Sequence, residues 1–363
     1  MQIINKQIAL VGSNSIHTTR YLKAIAPYFN IIVFITNNIP VESTSPDWPT
    51  NIIIYTADFR LKHFSSHKKI ANILLKHAIN LVHIHQANSY AYHTIKATKR
   101  SGINCKIILT AWGSDILVLP KTNLLFKLLV KYNLANSDII TSDSLYMSAK
   151  IRELVPKVKE LHTINYGIQN LPELCDLTQK ENIIFSNRLH KPLYNIDKII
   201  LGFSKFINHH PNFANSRLVI AADGSETKSL KELVSNLALE RNVTFLGMVS
   251  YAELINWYKK SKIFISIPNS DATSMSLLEA MAYGCYPIVS NIPSNLEWVI
   301  NEVNGTICQN NQQLDLDIAK AIHNISQPDT LLKTTDFNYE LIKQQAIFNN
   351  NIIKFLELYQ KNS

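Results

Sequence analysis

The sequence predicts an α/β protein built from two doubly wound parallel sheets. Three observations lead there. At 363 residues the chain exceeds one ordinary core and suits two domains. Short apolar, strand-like runs alternate with helical patterns, as parallel sheets with crossover helices require. The periodicity breaks between Tyr166 and Lys180, where Gly167 and Pro172 stand among polar residues. Strands are expected in the first half at 8–11, 31–35, 52–55, 81–85, 106–110 and 138–141, and in the second at 183–186, 217–221, 243–246, 263–267 and 286–289. The expected division is 1–172 and 173–345, followed by an amphipathic helix within 346–363.

Composition narrows the class. With 46% hydrophobic and 17% charged residues the chain reads as globular, and no run approaches the roughly 20 apolar residues that span a bilayer. Lys6 leads straight into the first strand with no leader-like pattern. Cys105, Cys175, Cys285 and Cys308 are scattered, without zinc-site spacing, which suits reduced structural thiols in a cytosolic protein.

The net charge of +9 is unevenly shared: residues 1–170 hold 19 Lys and Arg against 8 Asp and Glu, the remainder 17 against 19. Basic residues gather at Arg60, Lys62, Lys68, Lys69 and Lys76, and again at Lys121, Lys127 and Lys131 around an apolar stretch. Either segment reads as a basic amphipathic helix on an anionic membrane or as a solvated face over a buried stripe. Aromatic residues are not interleaved with these charges, and no nucleic-acid partner is expected.

The most informative stretch is Asp271-Ala-Thr-Ser-Met-Ser-Leu-Leu-Glu-Ala-Met-Ala-Tyr-Gly284. It follows the apolar run 262–268 and precedes another at 286–289, giving strand, loop, helix, turn, strand. The loop then opens at the carboxyl edge of a parallel sheet, where ligands of open α/β folds bind. Asp271 and Glu279 can face one pocket, and Thr273, Ser274 and Ser276 supply hydroxyls and amides at a helix start suited to phosphate. Ser276 and Glu279 also read as an ordinary capping box.

This segment, with Asn295-Leu-Glu297 and Asn304-Gly305 after it, resembles the donor-site signature of glycosyltransferase family 4, whose GT-B architecture has two Rossmann-like domains facing a cleft. The family pattern has Glu, seven residues, Glu; Asp271 stands in the first place. Ile183-Ile-Phe-Ser-Asn-Arg-Leu-His-Lys-Pro-Leu-Tyr-Asn195 matches the strand and loop whose Arg and Lys grip the donor diphosphate. Arg188 holds the arginine place, Leu193 stands where the lysine is usual, and Lys191 is the substitute candidate or a surface charge. Gly247 ends a run that resembles the family strand whose end holds the base, and Met275 and Leu278 lie in the segment that resembles the donor motif.

In the first half, Gly12-Ser-Asn-Ser-Ile-His-Thr-Thr-Arg20 lacks a dinucleotide fingerprint and resembles the family's acceptor-facing loop. His17 there is a ligand contact or a helix cap. In Thr110-Ala-Trp-Gly-Ser-Asp-Ile116, Trp112 replaces a usual His and can stack on a sugar, while Asp115 is an N-cap or orients the loop.

The resemblance implies a retaining, metal-independent transferase that moves a hexose or N-acetylhexosamine from a nucleotide sugar, UDP before GDP, to a lipid-linked saccharide of bacterial surface polysaccharide. Asp271 and Glu279 would act on the sugar and ribose, with no cofactor beyond the co-substrate. The C-terminal helix would pack back on the first domain. The protein would sit in the cytoplasm, peripheral to the inner face of the plasma membrane. The alternative is a catalytically silent GT-B protein that binds a nucleotide sugar, favoured by the departures at Asp271, Leu193 and Trp112.

Overall fold

The computed structural model describes residues 5–309, 311–325 and 330–362. The chain forms two compact units, Met1–Tyr166 with Asn349–Ser363, and Gly167–Phe348. The first holds seven parallel strands: β1 (Asn5–Val11), β2 (Phe29–Thr36), β3 (Ile52–Thr56), β4 (Leu81–His85), β5 (Lys106–Thr110), β6 (Ile139–Ser142) and β7 (Glu160–Thr163), in the order β3-β2-β1-β4-β5-β6-β7. The second holds six: β8 (Glu181–Ser186), β9 (Arg217–Ala221), β10 (Val243–Gly247), β11 (Ser261–Ser266), β12 (Tyr286–Ser290) and β13 (Thr306–Cys308), in the order β10-β9-β8-β11-β12-β13.

Central strands such as β4 and β12 are buried along their whole length, as strands covered by helices on both faces must be. Each sheet winds one way from its first strand and then back, so the order reverses between β1 and β4 and between β8 and β11. Such switch points leave a crevice at the carboxyl ends. Gly12 follows β1, Arg188 follows β8 and Asp271 follows β11.

The edge strands β7 and β13 were not among the expected ones. Their sequences, Glu-Leu-His-Thr and Thr-Ile-Cys, are too short and too polar to read as buried runs, and pairing with β6 and β12 sets them.

The last helix, Phe348–Lys361, supplies Tyr359 to the first unit's core. Its hydroxyl lies 2.5 Å from the Tyr21 hydroxyl and 2.5 Å from His83 Nδ1, while His83 Nε2 lies 2.6 Å from Thr110 Oγ1. All four side chains are buried, and burial holds the imidazole pKa well below its ordinary value, so the ring is neutral. A Tyr359→Phe change takes from the Tyr21 hydroxyl and from His83 Nδ1 the partner that the Tyr359 hydroxyl gives them. Chemical denaturation should show a loss of about 1–3 kcal/mol; an unchanged midpoint would remove this network from the stability account.

Candidate active site

The helix Met275–Ala282 begins where the loop after β11 ends. Its N-cap is Ser274, whose hydroxyl accepts from the Leu277 amide at 3.4 Å. The capping-box reading of Ser276 is therefore corrected: Ser276 already lies in the first helical turn, because Ser274 takes the extended cap conformation two residues earlier. The amides of Met275 and Ser276 open the helix, where no preceding turn supplies carbonyls.

Arg188 lies against this helix start. Its Nη1 donates to Ser274 Oγ at 2.7 Å and its Nη2 to Asp271 Oδ2 at 2.6 Å. The Arg188 side chain is 11% exposed and that of Asp271 19%, so water screens the pair weakly. Its guanidinium carbon stands 4.5 Å from the centre of the Tyr194 ring, a stacked cation–π contact. Burial pushes the Asp271 carboxyl above its ordinary pKa, and Arg188 and the Ala272 amide pull it the other way.

Glu279, one turn further along the helix, accepts from the Tyr258 hydroxyl at 3.2 Å, and Tyr258 in turn accepts from Asn187 Nδ2 at 2.8 Å. A fully buried phenol thus ties Glu279 to the residue beside Arg188. Buried Lys180 holds the backs of both helices: its Nζ donates to the carbonyls of Tyr258 at 2.8 Å and Tyr283 at 2.7 Å, where the helix Tyr251–Lys260 and the helix Met275–Ala282 end. Asn187, Tyr194, Tyr258 and Lys180 escaped the sequence reading. Asn187 and Tyr194 lie in the same segment as Arg188, which was their local signal; Tyr258 and Lys180 gain their roles through contacts distant in sequence.

The remaining donor-side candidates separate. Thr273, Met275 and Ser276 are half-buried at the helix start. Leu278 is fully buried in the core and its amide closes on the Ser274 carbonyl at 3.2 Å. Lys191 is exposed, and no described ion pair engages it. Its loop is anchored instead by the Asn269 amide, which donates to the Leu193 carbonyl at 2.8 Å. Gly247 ends β10 at φ +68°, a backbone region that favours glycine. Among the described residues no group of three or more His, Cys, Asp or Glu is placed to hold a metal ion.

In the first unit, Gly12 packs on His85: a Cβ there would lie 3.1 Å from the His85 Cβ. Ser15 is the N-cap of the helix Ile16–Ile25, so the capping role considered for His17 falls to serine. His17 is exposed and meets Trp112 edge-on at 5.7 Å. Asp115 is 3% exposed and accepts from the amides of Trp112 at 3.0 Å and Ala87 at 2.6 Å, tying the loops after β4 and β5 together. Of the two readings left open for it, the loop-orienting one matches this geometry; the N-cap of its helix is Gly113.

The model of the glycosyl transferases group 1 family matches residues 176–334, and that of the glycosyl transferase 4-like family matches 7–144. The chain belongs to the family 4-type glycosyltransferases. It is thus an enzyme of the glycosyl-transferring class, and its seven- and six-stranded parallel sheets are those of a GT-B fold. It is 24% identical over 320 residues to N-acetyl-alpha-D-glucosaminyl L-malate synthase of Bacillus anthracis, covering 82% of this chain and 81% of that one. A glycosyltransferase structure from Rickettsia africae superposes with a TM-score of 0.78 at 18% identity, covering 99% of this chain and 98% of the other. HepE of Anabaena, solved in complex with UDP, gives 0.78 at 13% identity over 98% of this chain and all 100% of its own.

The buried lysine behind this glycosyltransferase's site makes a direct stability prediction. Lys180→Met takes the ammonium donor from the Tyr283 carbonyl and leaves the Tyr258 carbonyl only the Cys285 thiol at 3.1 Å, and it should lower the unfolding free energy by about 1–3 kcal/mol in urea titration; equal stability would mean that the two helix ends are satisfied without it.

Proposed function

We propose that this enzyme transfers a hexose or N-acetylhexosamine, with retention, from a nucleotide sugar to a lipid-linked saccharide in bacterial surface polysaccharide synthesis, with UDP preferred and GDP next. The observation that carries the reading is Arg188, held between Asp271 and Ser274 at the mouth of the helix Met275–Ala282. A guanidinium and two open amides converge where a diphosphate would lie, and both stabilise negative charge that grows as the sugar departs. The complexes of HepE with UDP and with UDP and glucose favour UDP.

In this scheme Glu279, oriented by Tyr258, accepts hydrogen bonds from the ribose hydroxyls. Asp271 accepts from a hydroxyl of the transferred sugar once the diphosphate has drawn Arg188 toward itself. The bond from the anomeric carbon to the phosphate oxygen breaks and the bond to the acceptor oxygen forms on the same face, while the departing phosphate oxygen takes the acceptor's proton. Arg188 and the helix start provide the charge stabilisation, with no metal or cofactor in the scheme.

A peripheral place on the inner face of the membrane is supported by the helix Leu124–Ala135. Leu124, Leu125 and Leu128 are 69%, 78% and 53% exposed, with Lys121 and Lys127 beside them. Apolar side chains flanked by lysine suit the boundary of an anionic leaflet.

Replacing Asp271 by Ala should lower kcat for UDP-sugar turnover by roughly 100-fold or more, while affinity for UDP holds or tightens because Arg188 is released. Steady-state kinetics with nucleotide titration separates the two effects. Unchanged turnover would remove Asp271 from the site, and lost UDP affinity would make it a scaffold for Arg188.

A further inference from the structure

Two cavities at the carboxyl edge of the first unit's sheet adjoin one another, sharing Phe59, Arg60 and Ser89. The first, about 540 Å³, carries charged and polar groups from Asn37, Asp58, Arg60, Lys69, Ser89 and Tyr90 beside the apolar Ala57 and Phe59. Asp58 fixes the Arg60 guanidinium against its wall through Nε and Nη2, and the loop is braced by Ser66 Oγ, which donates to the Asp58 carbonyl at 2.5 Å. Lys69 is exposed on the helix Ser65–Lys76, and no described ion pair engages it. The second cavity, about 400 Å³, is an apolar groove walled by Phe59, Leu61, Val118, Leu119, Phe126 and Leu129. Phe126 and Leu129 belong to the same helix whose Leu124, Leu125 and Leu128 stand exposed, so the groove begins at the apolar tip.

We propose that these cavities form one amphipathic acceptor site for a single-chain lipid phosphate. The groove takes the aliphatic chain, and Lys69 and Arg60 meet the phosphate that joins chain to saccharide. The argument is complementarity at both ends: an apolar wall continuous with a membrane-facing tip, and cations at the opposite end in a unit that carries the chain's excess positive charge. The occupant is a single chain rather than the pair that a glycerophospholipid carries, because a single groove of about 400 Å³ leads to these cations. The inference rests on the lipid-linked acceptor proposed above and deepens it by naming the residues that hold the lipid.

The test is sedimentation of the full chain with phosphatidylcholine vesicles doped with polyprenyl phosphate or, at matched charge, with phosphatidylglycerol. The unmodified chain should bind the polyprenyl phosphate vesicles roughly tenfold more tightly, as burial of a few methylenes requires. Val118→Trp, at a position 46% exposed, fills the groove and should abolish the preference; Leu61→Trp, at 37% exposed, is the second groove-filling variant. Lys69→Gln should reduce it. Equal binding to both vesicles, binding to neither, or a preference that survives both tryptophans overturns the site. UDP titration of the unmodified chain separates this result from the donor reading: UDP binding without lipid preference defeats the groove alone, and lipid preference without UDP binding defeats the donor reading alone.

Discussion

The chemistry proposed for the second unit hangs on Arg188. Nearly shut off from water, it is held by a carboxylate at 2.6 Å, a hydroxyl at 2.7 Å and an aromatic face. Removing charged groups from water is costly, and a close pair offsets that cost only when its geometry is good. The same contacts aim the guanidinium at the helix start before any ligand arrives, so a diphosphate would meet donors already in place. In the proposed scheme Asp271 has two roles: it neutralises Arg188, and it accepts from the sugar once phosphate takes its place.

Parallel topology explains why these groups meet. Asn187 and Arg188 follow β8, Asp271 follows β11, and these strands are neighbours at the reversal of the sheet. Tyr258 and Lys180 both bond the helix that carries Glu279, one at its side and one at its end. The first unit repeats the plan with different chemistry. Its loops after β1, β4 and β5 are bound together by Asp115 and by the contact of Gly12 with His85, and they carry His17 and Trp112 at one end of the sheet.

Most of the fold was legible in the sequence because buried parallel strands leave continuous apolar runs. β4, β5 and β9 fall where their runs predict them. β7 and β13 were not legible, since their short and partly polar sequences leave no apolar run and pairing with a neighbour sets them. Of the donor-side residues, those in one contiguous motif could be found, but not which serine capped the helix: Ser274 and Ser276 differ by backbone conformation, which residue type does not show. Tyr258 reads as a core aromatic, and only the hydroxyl's contact with Glu279 distinguishes it from phenylalanine. The groove beside Arg60 was invisible for the same reason, since its walls come from three segments far apart in the chain.

The central claim is that Arg188 and the helix start recognise a diphosphate. It is tested most directly by calorimetric titration of UDP and UMP into the unmodified chain and into Arg188→Ala. The account predicts that UDP binds roughly tenfold or more tightly than UMP, the worth of a charge-assisted contact, and that the difference collapses in the variant. Equal affinities for UDP and UMP in the unmodified chain, or a preference for UDP that survives the loss of Arg188, would contradict it.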